Sequence, residues 1–82
     1  MDRINKVREE IDIIDNKIMD LLDERFTKTT LIGKLKKASR TKVLDKNREQ
    51  SILDKTSNYR HFPELKSIYT TIMNESKKLQ RK

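Results

Sequence analysis

Apolar residues recur along the first forty positions in alternating steps of three and four: Ile4, Val7, Ile11, Ile14, Ile18 and Leu21, then Ile32 and Leu35. A helix with 3.6 residues per turn places such positions on one stripe. Proline is absent from this stretch and glycine occurs once, at Gly33, so one unbroken helix over about residues 2–39 is predicted. Asp2 can cap its start, and Lys34, Lys36 and Lys37 suit the negative end of its dipole. The stripe is interrupted at positions 25 and 28, where the repeat calls for apolar residues and Arg25 and Lys28 stand instead. A parallel row on the same helix collects Arg8, Asp15, Arg25, Thr29 and Lys36, so charge stands where core is expected.

The stripe stops at about Ser39. Residues 39–44 are polar and β-branched without helical periodicity, and read as a loop. A second helix is predicted over about residues 45–57, with Asp45, Arg48, Glu49, Ile52 and Thr56 on one face by i, i+3, i+4 spacing. Its apolar content is essentially Ile52 and Leu53, too little for an independent core. Pro63, pre-set for a first helical turn, opens a third helix to about Gln80. Leu65, Tyr69, Ile72, Ser76 and Leu79 form its stripe, which Ser76 interrupts. The expected architecture is all-α: three helices, one very long and two shorter, in a single domain over residues 1–82.

Composition makes a lone chain improbable as the functional unit. With 33% hydrophobic and 40% charged residues, 82 residues bury only a thin core. The first helix would run about 55 Å at roughly 1.5 Å per residue, whereas a compact chain of this size has a radius of gyration of about 12 Å. A second subunit is therefore expected to cover it. The net charge of +7 calls for an anionic partner. Nucleic acid fits poorly, because thirteen acidic residues are interspersed among twenty basic ones and no recognition-helix motif is present. With no cysteine and only His61, thiolate chemistry and a histidine or cysteine metal cluster are excluded. Neither a signal-peptide core nor an apolar run near the ~20 residues of a membrane span occurs, so a cytoplasmic protein is expected.

The polar residues in the stripes are the candidate chemistry. Arg25 and Lys36 are eleven residues apart, which leaves about 20° between them on a helix, with Ile32 on the same face. If the stripes of the three helices meet, Arg48, Asp45 and Glu49 of the second helix and Ser76 and Gln80 of the third meet them. Cations in an apolar seam are costly unless something anionic sits among them. Two carboxylates neutralise part of the group, and the remaining positive charge suits a small dianion, since guanidinium groups match carboxylates with paired hydrogen bonds. Arg8 lies about 25 Å from Arg25 along the same helix, too far to share a small ligand within one chain. In an antiparallel dimer of long helices it can enter the partner's cavity. The bland alternatives are a solvated face for Arg8, snorkelling for Arg25 and Lys36, capping and i, i+3 pairing for the second-helix group, packing for Ser76, simple exposure for Gln80, and solvation for Lys28 and the basic tail Lys77, Lys78, Arg81 and Lys82.

Taken together these residues resemble the all-helical chorismate mutases. The likeness runs through Arg8 with Ile11-Asp12 and Asp15, Leu21-Leu22-Asp23-Glu24-Arg25, Ile32-Gly33-Lys34-Leu35-Lys36, Val43-Leu44-Asp45 with Asn47-Arg48-Glu49, and Glu75-Ser76 with Gln80. It implies an intertwined homodimer of three-helix chains with two equivalent sites. It also implies that chorismate is rearranged to prephenate without any cofactor. By the same resemblance, Arg25 and the partner subunit's Arg8 hold the two carboxylates, and Lys36 and Gln80 donate to the ether oxygen. Asp45 and Glu49 hold or lie near the ring hydroxyl, Arg48 and Ser76 complete the carboxylate end, and Ile32 forms part of the apolar wall. One departure is a shorter connection at residues 58–63. Two rivals share the fold: a lyase removing pyruvate from isochorismate, and a regulatory module that binds such metabolites without turnover. A pure binding module would not need both ether-oxygen donors.

Overall fold

The computed structural model describes residues 2–82; the first residue of the expected domain lies outside the described residues. Three helices follow one another: α1 (Asp2–Ala38), α2 (Lys46–Thr56) and α3 (Phe62–Gln80). The lengths match the periodicity of the sequence, and no end differs from the expectation by more than one residue. Because α1 already includes Asp2, that carboxylate sits in the first turn, where it still favours the helix dipole, instead of at the cap position.

Local chemistry sets the other boundaries. At the end of α1 the Thr41 N–H donates to the Lys36 carbonyl at 2.8 Å and the Arg40 N–H to the Lys37 carbonyl at 3.3 Å. This is the paired closure of a Schellman turn. It requires a left-handed residue, and Arg40 supplies it with φ 57° where glycine is the usual choice. Asp45 caps α2 by accepting the Arg48 N–H at 2.9 Å. Pro63 lies in the first turn of α3, where a missing N–H costs nothing.

Packing is confined to one end of the molecule. α3 lies against both α1 and α2. The buried residues are Ile52 and Thr56 of α2, Ile72, Met73 and Ser76 of α3, and Gly33 of α1. Gly33 is where α1 and α3 touch most closely: a Cβ there would stand 2.5 Å from the Gln80 Cα and 2.6 Å from its carbonyl oxygen. The glycine is a close-approach residue.

The other end of α1 carries none of this. Every residue from Asp2 to Leu21 is exposed, and Ile4, Val7, Ile11, Ile14, Ile18 and Leu21 are between 47% and 64% accessible. The long stripe therefore has no cover within the chain. The molecule is accordingly a rod, 56 × 24 × 14 Å with a radius of gyration of 16.1 Å, well above the ~12 Å of a compact chain.

Candidate active site

A cavity of about 340 Å³ opens between the three helices at the packed end. Arg25, Thr29, Ile32 and Lys36 line it from α1, Asp45, Arg48, Glu49 and Ile52 from α2 and its cap, and Met73, Ser76, Lys77 and Gln80 from α3. The first four recur at steps of four, three and four, so a single face of α1 supplies one wall. Eight of the nine residues singled out by sequence are thereby brought together.

Hydrogen bonds hold the polar ends in place. Arg25 Nη1 donates to Ser76 Oγ at 2.8 Å, and Ser76 in turn donates to the Ile72 carbonyl at 2.8 Å. The same guanidinium lies 6.0 Å from the ring centre of Tyr69, at the edge of cation–π range. Lys36 Nζ donates to the Val43 carbonyl at 2.8 Å and to Gln80 Oε1 at 3.1 Å. An ammonium has three N–H donors, so one proton of Lys36 stays free. With the Gln80 oxygen occupied by a donor, its NH2 group remains available as well. Two donors from different helices thus converge at one end of the cavity.

The acidic residues divide between local and long-range partners. Asp45 keeps the capping role that its position suggested, accepting from the Arg48 backbone while also lining the cavity. Glu49 pairs with Lys77 at 3.0 Å. Lys77 was expected to be solvated with the rest of the basic tail, and the structure corrects this: its side chain is 22% accessible and lies in the cavity wall. Four cations and two carboxylates line the cavity, leaving two positive charges for an anionic ligand.

Arg8 is the ninth residue, and it stands apart. It lies on the free half of α1 beside Arg3, Ile4, Val7 and Ile11, about 25 Å from Arg25 along the helix. Sequence reasoning missed Met73 and Lys77. A signal for both existed, since 69, 73, 76 and 80 form a second row on α3 and 77 lies one turn from 73. The Val43 carbonyl could not have been found, because a backbone acceptor has no side-chain signature.

The fold and the site define a class: an all-helical protein with a cationic cleft of about 340 Å³ between its three helices. The chain belongs to the chorismate mutase type II family, whose model matches residues 7–81. That assignment supports an isomerase activity, the conversion of chorismate to prephenate. A solved structure titled a conserved hypothetical protein from Pyrococcus furiosus is similar over 95% of this chain and 95% of its own, with 35% identity and a TM-score of 0.85. No curated protein matches the chain. Among the described residues no helix is long and apolar enough to cross a membrane.

Proposed function

We propose that chorismate binds in the cavity between the three helices and rearranges there to prephenate. The observation that carries this reading is the pairing of Lys36 with Gln80, which leaves an ammonium proton and an amide NH2 as donors at one end of a cationic cleft. The reaction breaks a C–O bond and forms a C–C bond within one molecule. It requires no nucleophile, and its transition state places developing negative charge on the ether oxygen. Donors already held in position stabilise that charge without reorganisation. The rest of the acceleration comes from holding the enolpyruvyl side chain over the ring, which converts a flexible substrate into its reactive conformer.

In this assignment Arg25 holds one substrate carboxylate with Arg48 and Ser76 beside it. To donate to the substrate, the Ser76 hydroxyl turns away from the Ile72 carbonyl. Glu49 and Asp45 accept the ring hydroxyl, and Ile32 closes the apolar side. The second carboxylate is met by the partner subunit's Arg8 in an intertwined homodimer. Support for the dimer comes from the exposed apolar stripe of α1, which one chain leaves uncovered, and from the separation of Arg8 from the cavity. The deciding experiment is turnover of chorismate by the purified protein with the product identified by chromatography. Prephenate formed far above the uncatalysed rate is expected. No turnover, or release of pyruvate from isochorismate alone, would overturn the reading.

A further inference from the structure

Two lysines adjacent in sequence have different surroundings. Lys78 pairs with Glu75 at 3.0 Å one turn away on α3, with 67% and 51% of the two side chains accessible. Water screens such a pair, and its contribution is small. Lys77 pairs with Glu49 at the same 3.0 Å, but across from α3 to α2, with 22% and 27% accessible, and both side chains line the cavity. A partly buried ion pair is screened less, and breaking it leaves a carboxylate in a poorly solvated place.

Charge counting gives the pair a consequence. Without Lys77 this chain's cavity lining offers Arg25, Lys36 and Arg48 against Asp45 and Glu49, a surplus of one charge. Lys77 offsets the charge of Glu49 and so raises the positive surplus facing the substrate's carboxylates by one, before the partner subunit's Arg8 is added in the proposed dimer. Geometry adds a second effect: the ammonium takes Glu49 Oε2 and leaves Oε1 free to accept from a ligand hydroxyl. Around Glu49 the other charged groups of the cavity are Arg25 and Lys36 from α1, Arg48 from its own helix and Asp45 from that helix's cap. Asp45 is engaged by the Arg48 backbone, and Lys36 by Val43 and Gln80.

We infer that Lys77 is a positioning residue of this site, acting through Glu49: it holds one carboxylate oxygen, presents the other to the substrate's ring hydroxyl, and cancels a charge that would repel the substrate's carboxylates. The inference rests on the assignment of Glu49 to the hydroxyl end. It makes the α2–α3 pair a determinant of substrate affinity more than of the chemical step.

The test is a double-mutant cycle on the full chain, with steady-state kinetics on chorismate and thermal unfolding of each variant. Lys77→Met is expected to raise KM about tenfold, the scale of a lost charge-assisted hydrogen bond, with kcat changed less than about threefold. Lys77→Arg is expected to recover most of the loss. In a Glu49→Gln background, Lys77→Met is expected to add less than about a twofold effect, because its target is already neutral. An undiminished penalty in that background would overturn the inference in favour of direct contact with substrate. Unchanged kinetics in Lys77→Met, or an Arg variant no better than Met with both melting lower, would overturn it in favour of a structural strut. If Lys77→Met does not fold, Lys77→Gln, which keeps a polar end, is read in the same way. A wild-type chain that fails to turn over chorismate refutes the functional reading itself, an outcome distinct from wild-type turnover with a neutral Lys77 variant.

Discussion

Lys36 shows how a single side chain can serve structure and chemistry together. Two of its N–H donors tie the end of α1 to the following loop and to α3, through Val43 and Gln80. The third is free to meet developing charge. Replacement by alanine removes one preorganised donor and releases Gln80 from its partner, so Lys36→Ala is expected to lower kcat by about a hundredfold or more. Steady-state kinetics check this, and a loss below tenfold would remove Lys36 from the role. Gln80 assists without a titrating group, in contrast to a general acid. Turnover is therefore expected to stay nearly level from about pH 5 to about pH 8; a steep basic limb inside that range would contradict the assignment. The residue types and their shared face were legible at this scale. The partner of Lys77 was not: the place of Lys77 one turn from Met73 marks the face it shares, but nothing in a basic run says which lysine will find a carboxylate on another helix.

At the scale of the elements, the join between α1 and α3 decides whether the donors meet. Gly33 permits the backbone of Gln80 to approach to a distance no Cβ would allow. The obstructing atoms are main chain and cannot swing aside, so Gly33→Ala forces the last turn of α3 outward and carries Gln80 with it. The expected result is a loss of about 1–3 kcal/mol in stability, the usual cost of overpacking, together with a lower kcat, measured by urea unfolding and kinetics. An Ala variant equal to the wild type in both would mean that the helices part without consequence. The opposite change is available at the end of α1. Arg40 holds a left-handed conformation at φ 57°, which costs a side chain about 1–2 kcal/mol relative to glycine. Some of that is returned by the unfolded chain's greater freedom with glycine. Arg40→Gly is thus expected to raise stability by up to about 1 kcal/mol, visible as a higher unfolding midpoint with unchanged kinetics. Helix existence and approximate ends were readable from periodicity, the Asp45 cap and Pro63. The closeness of Gly33 to Gln80 was not, since it depends on how far along α1 the third helix lies.

The whole molecule is a rod packed at one end and bare at the other. Six large apolar residues lie exposed in a stripe along α1, and in the proposed dimer a second α1 covers them. This arrangement is testable by complementation between inactive chains. If each site takes Arg25 from one chain and Arg8 from the other, a mixed dimer of Arg8→Ala and Arg25→Ala chains has one doubly altered site and one intact site. Unfolding and refolding the two variants together in equal amounts should then restore about a quarter of the wild-type sites, by random pairing in a twofold dimer. If Arg8 served its own chain, every site would keep one substitution and no activity would return. Sedimentation of Ile14→Asp, which places a charge in the stripe, is expected to show dissociation of the dimer.

The division between what the chain's order determined and what its folding decided follows from the range of the forces involved. Helical periodicity, capping and the placement of Arg25, Ile32 and Lys36 on one face are set within a few turns, so the sequence alone determined the three helices and the character of each face. The same residues carry the resemblance to the chorismate mutases, which the family match over residues 7–81 bears out. Which groups touch across helices depends instead on the offset and approach of one helix against another. That offset is governed by packing at points such as Gly33 against Gln80. Tertiary structure alone therefore decided that Lys36 donates to a loop carbonyl and to Gln80, that Arg25 reaches Ser76, and that Lys77 leaves the solvated tail for Glu49. Apart from Lys36 with Val43, seven positions on, these pairs join residues tens of positions apart, and no local pattern encodes them.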